Sequence, residues 1–250
     1  MPLTDVKLPA NTSDFFGKIN EIAAFEFYEG LSDDIYWVLG LDPSEAFSEK
    51  FDKLGFGSAF VLNNMGTMSF FFLGYLCFIL LQQALQCCKW SSSRANRASR
   101  CLSKILYYNT FLTWLIEGFS VIALSVMIGL YNLDFTDSYG ITIQSSSCLF
   151  FGVIIMVSPG LTLWLTVRNF DQLEKKGTQN KYGSVYSNLH LGRGRTVLLM
   201  PFFFQVRRLI LVFAVVVCKD ILIVQIYSIW AQTTIALYIV GLARPYKTPV

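Results

Sequence analysis

The 250-residue chain is poor in charge and contains a single histidine. Charged residues make up 15% of the sequence, whereas roughly 25% of the residues in a soluble domain are charged. One histidine excludes a metal site built from several histidines. The sequence also lacks a Ser/His/Asp arrangement and an HExxH motif. We therefore expect long stretches of the chain to face lipid, and we expect no enzyme activity, cofactor or metal.

Two further patterns are missing. The six cysteines form no CxxC pair, and none of them lies in the acidic N-terminal segment, so neither a disulfide framework nor a cysteine metal site is expected. The first ten residues, MPLTDVKLPA, have no apolar core and therefore do not match a signal peptide. The sequence stops at PYKTPV without a cap or tail, and we expect it to be a fragment of a longer chain.

Five apolar stretches have about the 20 residues that a helix needs to cross a bilayer. We predict an all-α fold, a polytopic transmembrane helical bundle over residues 60–243, between a small acidic segment (1–59) and a truncated end (244–250). Pro159 and Gly160 should kink the third span, because proline removes a backbone donor and clashes with the preceding turn. The predicted spans are 60–85, 105–131, 145–167, 197–218 and 221–242.

The sign of the loop charges alternates along the chain. The loops after spans one, three and five are basic, whereas the N-terminal segment and the loop after span two are acidic. By the positive-inside rule, the N-terminal segment lies outside and the basic loops and the C-terminal end lie in the cytosol. We expect an integral protein of the plasma membrane, with the lipid bilayer as its main partner and no nucleic acid.

The segments outside the spans carry three candidate sites. Asn11 begins a glycosylation sequon, which matters only if the N-terminal segment is lumenal. Cys87 and Cys88 lie beside a cytosolic span end. They are either palmitoylated or two free thiols, and the sequence favours neither alternative. Arg193 and Arg195, in GRGR, are predicted to touch anionic lipid headgroups, at about 1 kcal/mol per basic residue. The N-terminal segment itself is either a cap on the membrane face or a ligand site among its aromatic and acidic residues.

Three charged residues lie inside the predicted spans. Glu117 is twelve positions past the cytosolic start of span two, about 18 Å deep. Arg207 and Arg208 are ten and eleven positions past the start of span four, about 15–17 Å deep. An unpaired charge at this depth would cost roughly 2.5–3.5 kcal/mol. We therefore predict that Glu117 faces Arg207 or Arg208 across a helix interface.

Such an ion pair has two interpretations. It would fix which helices pack together, or it would belong to a sensor-like or ion-conducting bundle. A voltage-sensing helix carries arginines at every third residue, whereas Arg207 and Arg208 are adjacent, so voltage sensing is disfavoured. The uncharged polar residues Asn109, Thr113, Gln225 and Gln232 in spans two and five are predicted to hydrogen-bond between helices, with a cation path as the alternative.

Two sequence runs resemble a known family. The run LHLGRGRTVLLMPFFFQVRRLILVFAVVVCKDILIVQIYSIWAQTTIALYIVGLARPYKTP resembles the membrane domain of ciliate TRP-like proteins. FEFYEGLSDDIYWVLG and FDKLGFGSAFVLNNMGT resemble the stretch upstream in that family. The resemblance covers nearly the whole chain, and its most specific part is the RR pair followed by Gln225 and RPYK.

The resemblance implies a distant relation to TRP and polycystin-type channels. In such channels the last two helices, after the RPYK-like segment, form the pore, and this chain ends there. We therefore expect the non-pore, sensor-like bundle of a cation channel, and a homo-oligomer is a candidate assembly because the channel relatives are tetramers. The alternative is a non-conducting membrane anchor or receptor-like module of a large cell-surface protein.

Overall fold

All regular structure in the described part of the chain is helical. A computed structural model describes residues 37–38, 51, 56–87, 110–135, 138–173, 175–186, 189, 191–218 and 221–243. Short 3-10 turns lie at Leu130–Asn132, Phe170–Gln172, Leu191–Arg193 and Arg195–Leu198. The α-helices are α1 (Val61–Met65), α2 (Thr67–Cys87), α3 (Phe111–Glu117), α4 (Phe119–Gly129), α5 (Tyr139–Arg168), α6 (Lys176–Tyr186), α7 (Leu199–Val217) and α8 (Leu222–Ala243).

Three of these helices, α5, α7 and α8, are long and apolar enough to cross a membrane. Helices α3 and α4 pass the same test together, but the pair is bent by 68° at a break. The apolar part of α2, Met68–Ala84, spans roughly 26 Å at the helical rise, short of the about 30 Å of a hydrocarbon core. The predicted membrane-helix architecture therefore holds for three helices, or four with the bent pair, and the fifth span stays a prediction.

Glycine sets the two interruptions in the predicted spans. Gly66 separates α1 from α2 with a φ of 48°, a backbone conformation that side chains with a Cβ rarely adopt. The Ser69 hydroxyl donates to the Gly66 carbonyl at 2.7 Å and stabilises the start of α2. Gly118 lies at the break between α3 and α4, where glycine weakens a helix by about 1 kcal/mol relative to alanine.

The residues group into two compact units, and each long helix contributes one end to each unit. The first unit holds Met1–Ser69, Gly118–Val157 and Val206–Tyr238. Its described core is tight where α4 meets α1, because a Cβ at Gly129 would overlap Cγ2 of Val61 and lie 3.1 Å from Sγ of Cys148. The first unit therefore joins the N-terminal end of α5 to α4 and α1.

The second unit holds Phe70–Glu117, Ser158–Gln205 and Ile239–Val250. Its apolar core combines the start of the second predicted span, the segment after α5, the start of α7 and the end of α8. Tyr186 is buried in this core, and its hydroxyl donates to the Leu173 carbonyl at 2.9 Å. Burial raises the pKa of the Tyr186 hydroxyl above its ordinary value. The buried core residues are Leu112, Leu173, Val185, Tyr186, Leu189, Val197, Leu198 and Met200, against which Ile239 and Val240 pack.

Candidate functional site

The long helices bury polar side chains and expose large apolar ones. Gln205 is 2% exposed, whereas Leu237 is 69% exposed and Val153 is 64% exposed. A helix of a soluble bundle shows the reverse distribution, with its apolar face inside. Further buried polar residues are Gln144, Ser158, Thr162, Thr166, Gln225 and Gln232. The buried polar side chains are therefore the candidate functional groups of this chain.

A polar cluster in the second unit joins α5 to α7. Thr162 and Gln205 are both nearly inaccessible, at 1% and 2% exposure. The Thr162 hydroxyl lies 3.1 Å from Oε1 of Gln205 and 2.9 Å from the carbonyl oxygen of Pro159. One turn further along α5, the Thr166 hydroxyl donates to the Thr162 carbonyl at 2.9 Å. We call Pro159, Thr162, Thr166 and Gln205 the Gln205 cluster.

A second cluster lies in the first unit, at the start of the first predicted span. The Gln144 amide donates to Oδ1 of Asn63 at 2.9 Å, and its own oxygen accepts the Leu62 N–H at 3.0 Å. Oδ1 of Asn64 accepts the Ser58 N–H at 3.2 Å, and Nδ2 of Asn64 donates to the Ser58 carbonyl at 2.6 Å. Protein groups thus bind both ends of the Gln144 and Asn64 amides. The cluster joins α1 to α5, and we assign it a structural role.

The predicted polar residues of span five are buried in α8. Gln225 is 2% exposed and donates to the Cys218 carbonyl at 3.0 Å, in the turn before α8. Gln232 is 8% exposed and donates to the Ser228 hydroxyl at 2.9 Å, one turn back in the same helix. Thr113 is half-buried in α3, and Asn109 lies outside the described residues. The bonds of Gln225 to Cys218 and of Gln232 to Ser228 are local, and the predicted interhelical role stays a prediction.

The charged residues of the predicted ion pair lie in different units. Glu117 is exposed at the last position of α3, in the second unit. Arg207 and Arg208 are half-buried near the middle of α7, in the first unit. Both arginines thus lie inside the apolar helix α7, and their pairing with Glu117 stays a prediction.

The other predicted residues lie in α5, in the 3-10 turns before α7, at the end of α2 or outside the described part of the chain. Pro159 lies inside α5, which continues through it without interruption, and the neighbouring Gly160 is exposed. Arg193 and Arg195 lie in the 3-10 turns before α7, and Cys87 is the last residue of α2. Cys88 and Asn11 lie outside the described residues.

The C-terminal end of α5 carries an aromatic and cationic pair that the sequence analysis did not single out. The Arg168 guanidinium lies 5.0 Å from the centroid of the Trp164 ring, and both residues are exposed. Tryptophan and arginine are typical of the membrane–water boundary, where the ring stays near the headgroups and the charge reaches water. The pair therefore marks the end of the apolar part of α5.

The described residues contain no group of three or more His, Cys, Asp or Glu side chains that would hold a metal ion. Comparison with protein-family models, with curated proteins and with solved structures finds no significant match to this chain.

Two members of the Gln205 cluster carry a sequence signal that was overlooked. Ser158, Thr162 and Thr166 follow one another at a spacing of four residues, so they share one face of α5. Gln205 lies two positions before Arg207 and is an isolated uncharged polar residue in an apolar run, so it has no periodic pattern of its own. A search for polar residues at helical spacing would have found the three hydroxyls but not their partner on α7.

Proposed function

We propose that the chain is an integral protein of the plasma membrane, built as a bundle of membrane-spanning helices. The observation that carries this proposal is the outward distribution of apolar side chains on α5, α7 and α8 combined with buried glutamines and threonines. Only 11% of the residues in an apolar 18-residue stretch of α8 are buried, and 33% of those in the corresponding stretch of α5. In hydrocarbon, exposed apolar side chains carry no penalty and polar side chains must find partners inside the protein.

The grouping of helix ends supports an alternating arrangement of the spans. The second-unit core brings together the segment after α5, the start of α7 and the end of α8. Consecutive helices that share such a core run in opposite directions. The segment after α5 is also basic. The proposal therefore places this core at the cytosolic ends of the helices and the N-terminal segment outside the cell.

The bundle further fits the non-pore, sensor-like part of a TRP-like cation channel. The resemblance of the RR, Gln225 and RPYK run supports this step. So does the position of Arg207 and Arg208, half-buried in the middle of an apolar helix. Charged residues in a membrane helix are expensive to insert and are typical of functional sites, whereas a passive anchor gains nothing from them.

Electrophysiology on the protein expressed in cells tests the channel proposal. Arg207→Gln and Arg208→Gln should shift the stimulus dependence of a cation current while leaving its single-channel conductance and ion selectivity unchanged, because the bundle lies outside the pore. Lys175→Gln, which removes one positive charge at an exposed position outside the predicted spans, is the control. Absence of any current with surface expression confirmed would favour the non-conducting anchor, and altered selectivity would place the arginines in the pore.

A further inference from the structure

The Gln205 amide has an unmet hydrogen-bonding group deep inside the second unit. The residue is 2% exposed, and among the described residues no acceptor lies within hydrogen-bond distance of its Nε2. Its other end, Oε1, lies 3.1 Å from the Thr162 hydroxyl. A buried amide nitrogen without an acceptor is costly in any protein, and more so in a membrane helix where lipid offers no partner.

The Thr162 hydroxyl has one proton and two acceptors within reach, so it cannot satisfy both of them. The hydroxyl is within bonding distance of both the Pro159 carbonyl, at 2.9 Å, and Gln205 Oε1, at 3.1 Å, yet it donates to only one of them. Turning the amide over would let Nε2 donate to Thr162 while Thr162 donates to Pro159. The amide oxygen would then point the other way and need a donor. In the first orientation the free end of Gln205 needs an acceptor, and in the second it needs a donor.

We propose that the Gln205 cluster binds a buried water molecule, held by the Gln205 amide. Water accepts from Nε2 or donates to the amide oxygen, so it satisfies both orientations. Buried waters typically make about three hydrogen bonds to polar groups that lack protein partners. A lone pair of the Thr162 hydroxyl, beside the same amide, offers a further partner at this site. The site would thus be a hydrated point between α5 and α7 inside an apolar bundle, independent of whether the protein conducts ions.

Radiolytic footprinting in lipid nanodiscs tests the site, since X-ray activation of a bound water oxidises the side chains beside it. Wild-type protein should be oxidised in the segments 157–163 and 202–206, whereas the lipid-facing Met156, 73% exposed, should stay unlabelled. Gln205→Met keeps the length of the side chain and removes the amide, so labelling of segment 157–163 should be lost; segment 202–206 is not compared in this variant, because methionine is itself easily oxidised. Gln232→Met is the matched control, because the Gln232 amide already has Ser228 as its partner, and should leave the labelling unchanged.

Two results would overturn the inference. Equal labelling of segment 157–163 in wild type and Gln205→Met would show that the amide holds no water. Absence of labelling in the wild-type protein would exclude the site without any variant, which keeps the test decisive if Gln205→Met does not fold.

Discussion

At the scale of single residues, Gly129 leaves no room for a side chain, because Val61 and Cys148 pack directly against it. Gly129→Ala should destabilise the protein by roughly 1–3 kcal/mol, because the added Cβ overlaps Val61 and crowds Cys148 in a packed core. Gly160→Ala is the matched control, since a Cβ there meets nothing within 4 Å. It should be neutral or stabilise by up to about 1 kcal/mol. Thermal melting in detergent compares the two, and equal melting temperatures would contradict the packing.

The hydrogen bond between the side-chain amides of Gln144 and Asn63 gives a second prediction for single residues. A double-mutant cycle with Asn63→Ala and Gln144→Ala should show a coupling of about 0.6 kcal/mol, the average for polar pairs between membrane helices. The cycle removes the separate effect of the bond from Leu62 N–H to Gln144. Additive losses of stability in the two single variants would show that the pair does not join α1 to α5.

Residue type alone does not predict which side chains pair. The glutamines of the fifth span are predicted to hydrogen-bond between helices; they are buried, and their bonds to Cys218 and Ser228 are local. Gln205 and Thr162 lie 43 positions apart, on α7 and α5, and no local pattern specifies that two such side chains meet. The same limit applies to Arg207 and Glu117, whose depths are comparable but whose pairing depends on the packing of separate helices.

At the scale of elements, the breaks inside the first two predicted spans lie at glycine residues. Apolar composition predicted α5, α7 and α8 to within a few residues at most ends, since each is a continuous apolar run. It did not predict the breaks at Gly66 and Gly118, because hydropathy averages over a window and is insensitive to one backbone conformation. The segment after α5 was expected to be a loop, and it contains α6 because Val185 and Tyr186 are buried in the second-unit core.

Tyr186 gives a prediction on how α6 is held. Tyr186→Phe should lower the free energy of unfolding by about 0.5–1.5 kcal/mol, because it removes the bond to the Leu173 carbonyl. Burial raises the pKa of this hydroxyl, so its share of stability is present below the ordinary tyrosine pKa of about 10 and is lost as the pH rises through the folded value. Unfolding curves measured from neutral to alkaline pH check both effects.

The matched control for this prediction is Tyr139→Phe, at an exposed position of α5. It should change neither the stability at neutral pH nor the alkaline loss that belongs to Tyr186. An alkaline transition that persists unchanged in Tyr186→Phe would contradict the role given to this residue.

At the scale of the whole molecule, the account rests on helices that alternate in direction through a membrane. Loop charge in the sequence predicts this alternation, and the orientation stays a proposal. Three helices of the described residues, or four with the bent pair, are long and apolar enough to cross a membrane. The channel proposal depends on this arrangement, because the depth of Arg207 and Arg208 has meaning only within a bilayer.

Labelling of single cysteines in intact cells tests this arrangement most directly. In a background without native cysteines, Leu133→Cys follows α4 and Lys175→Cys follows α5, and both positions are exposed. A membrane-impermeant maleimide should label Leu133→Cys in intact cells and Lys175→Cys only after the membrane is permeabilised. Labelling of both positions in intact cells, or of neither, would contradict the alternating membrane bundle.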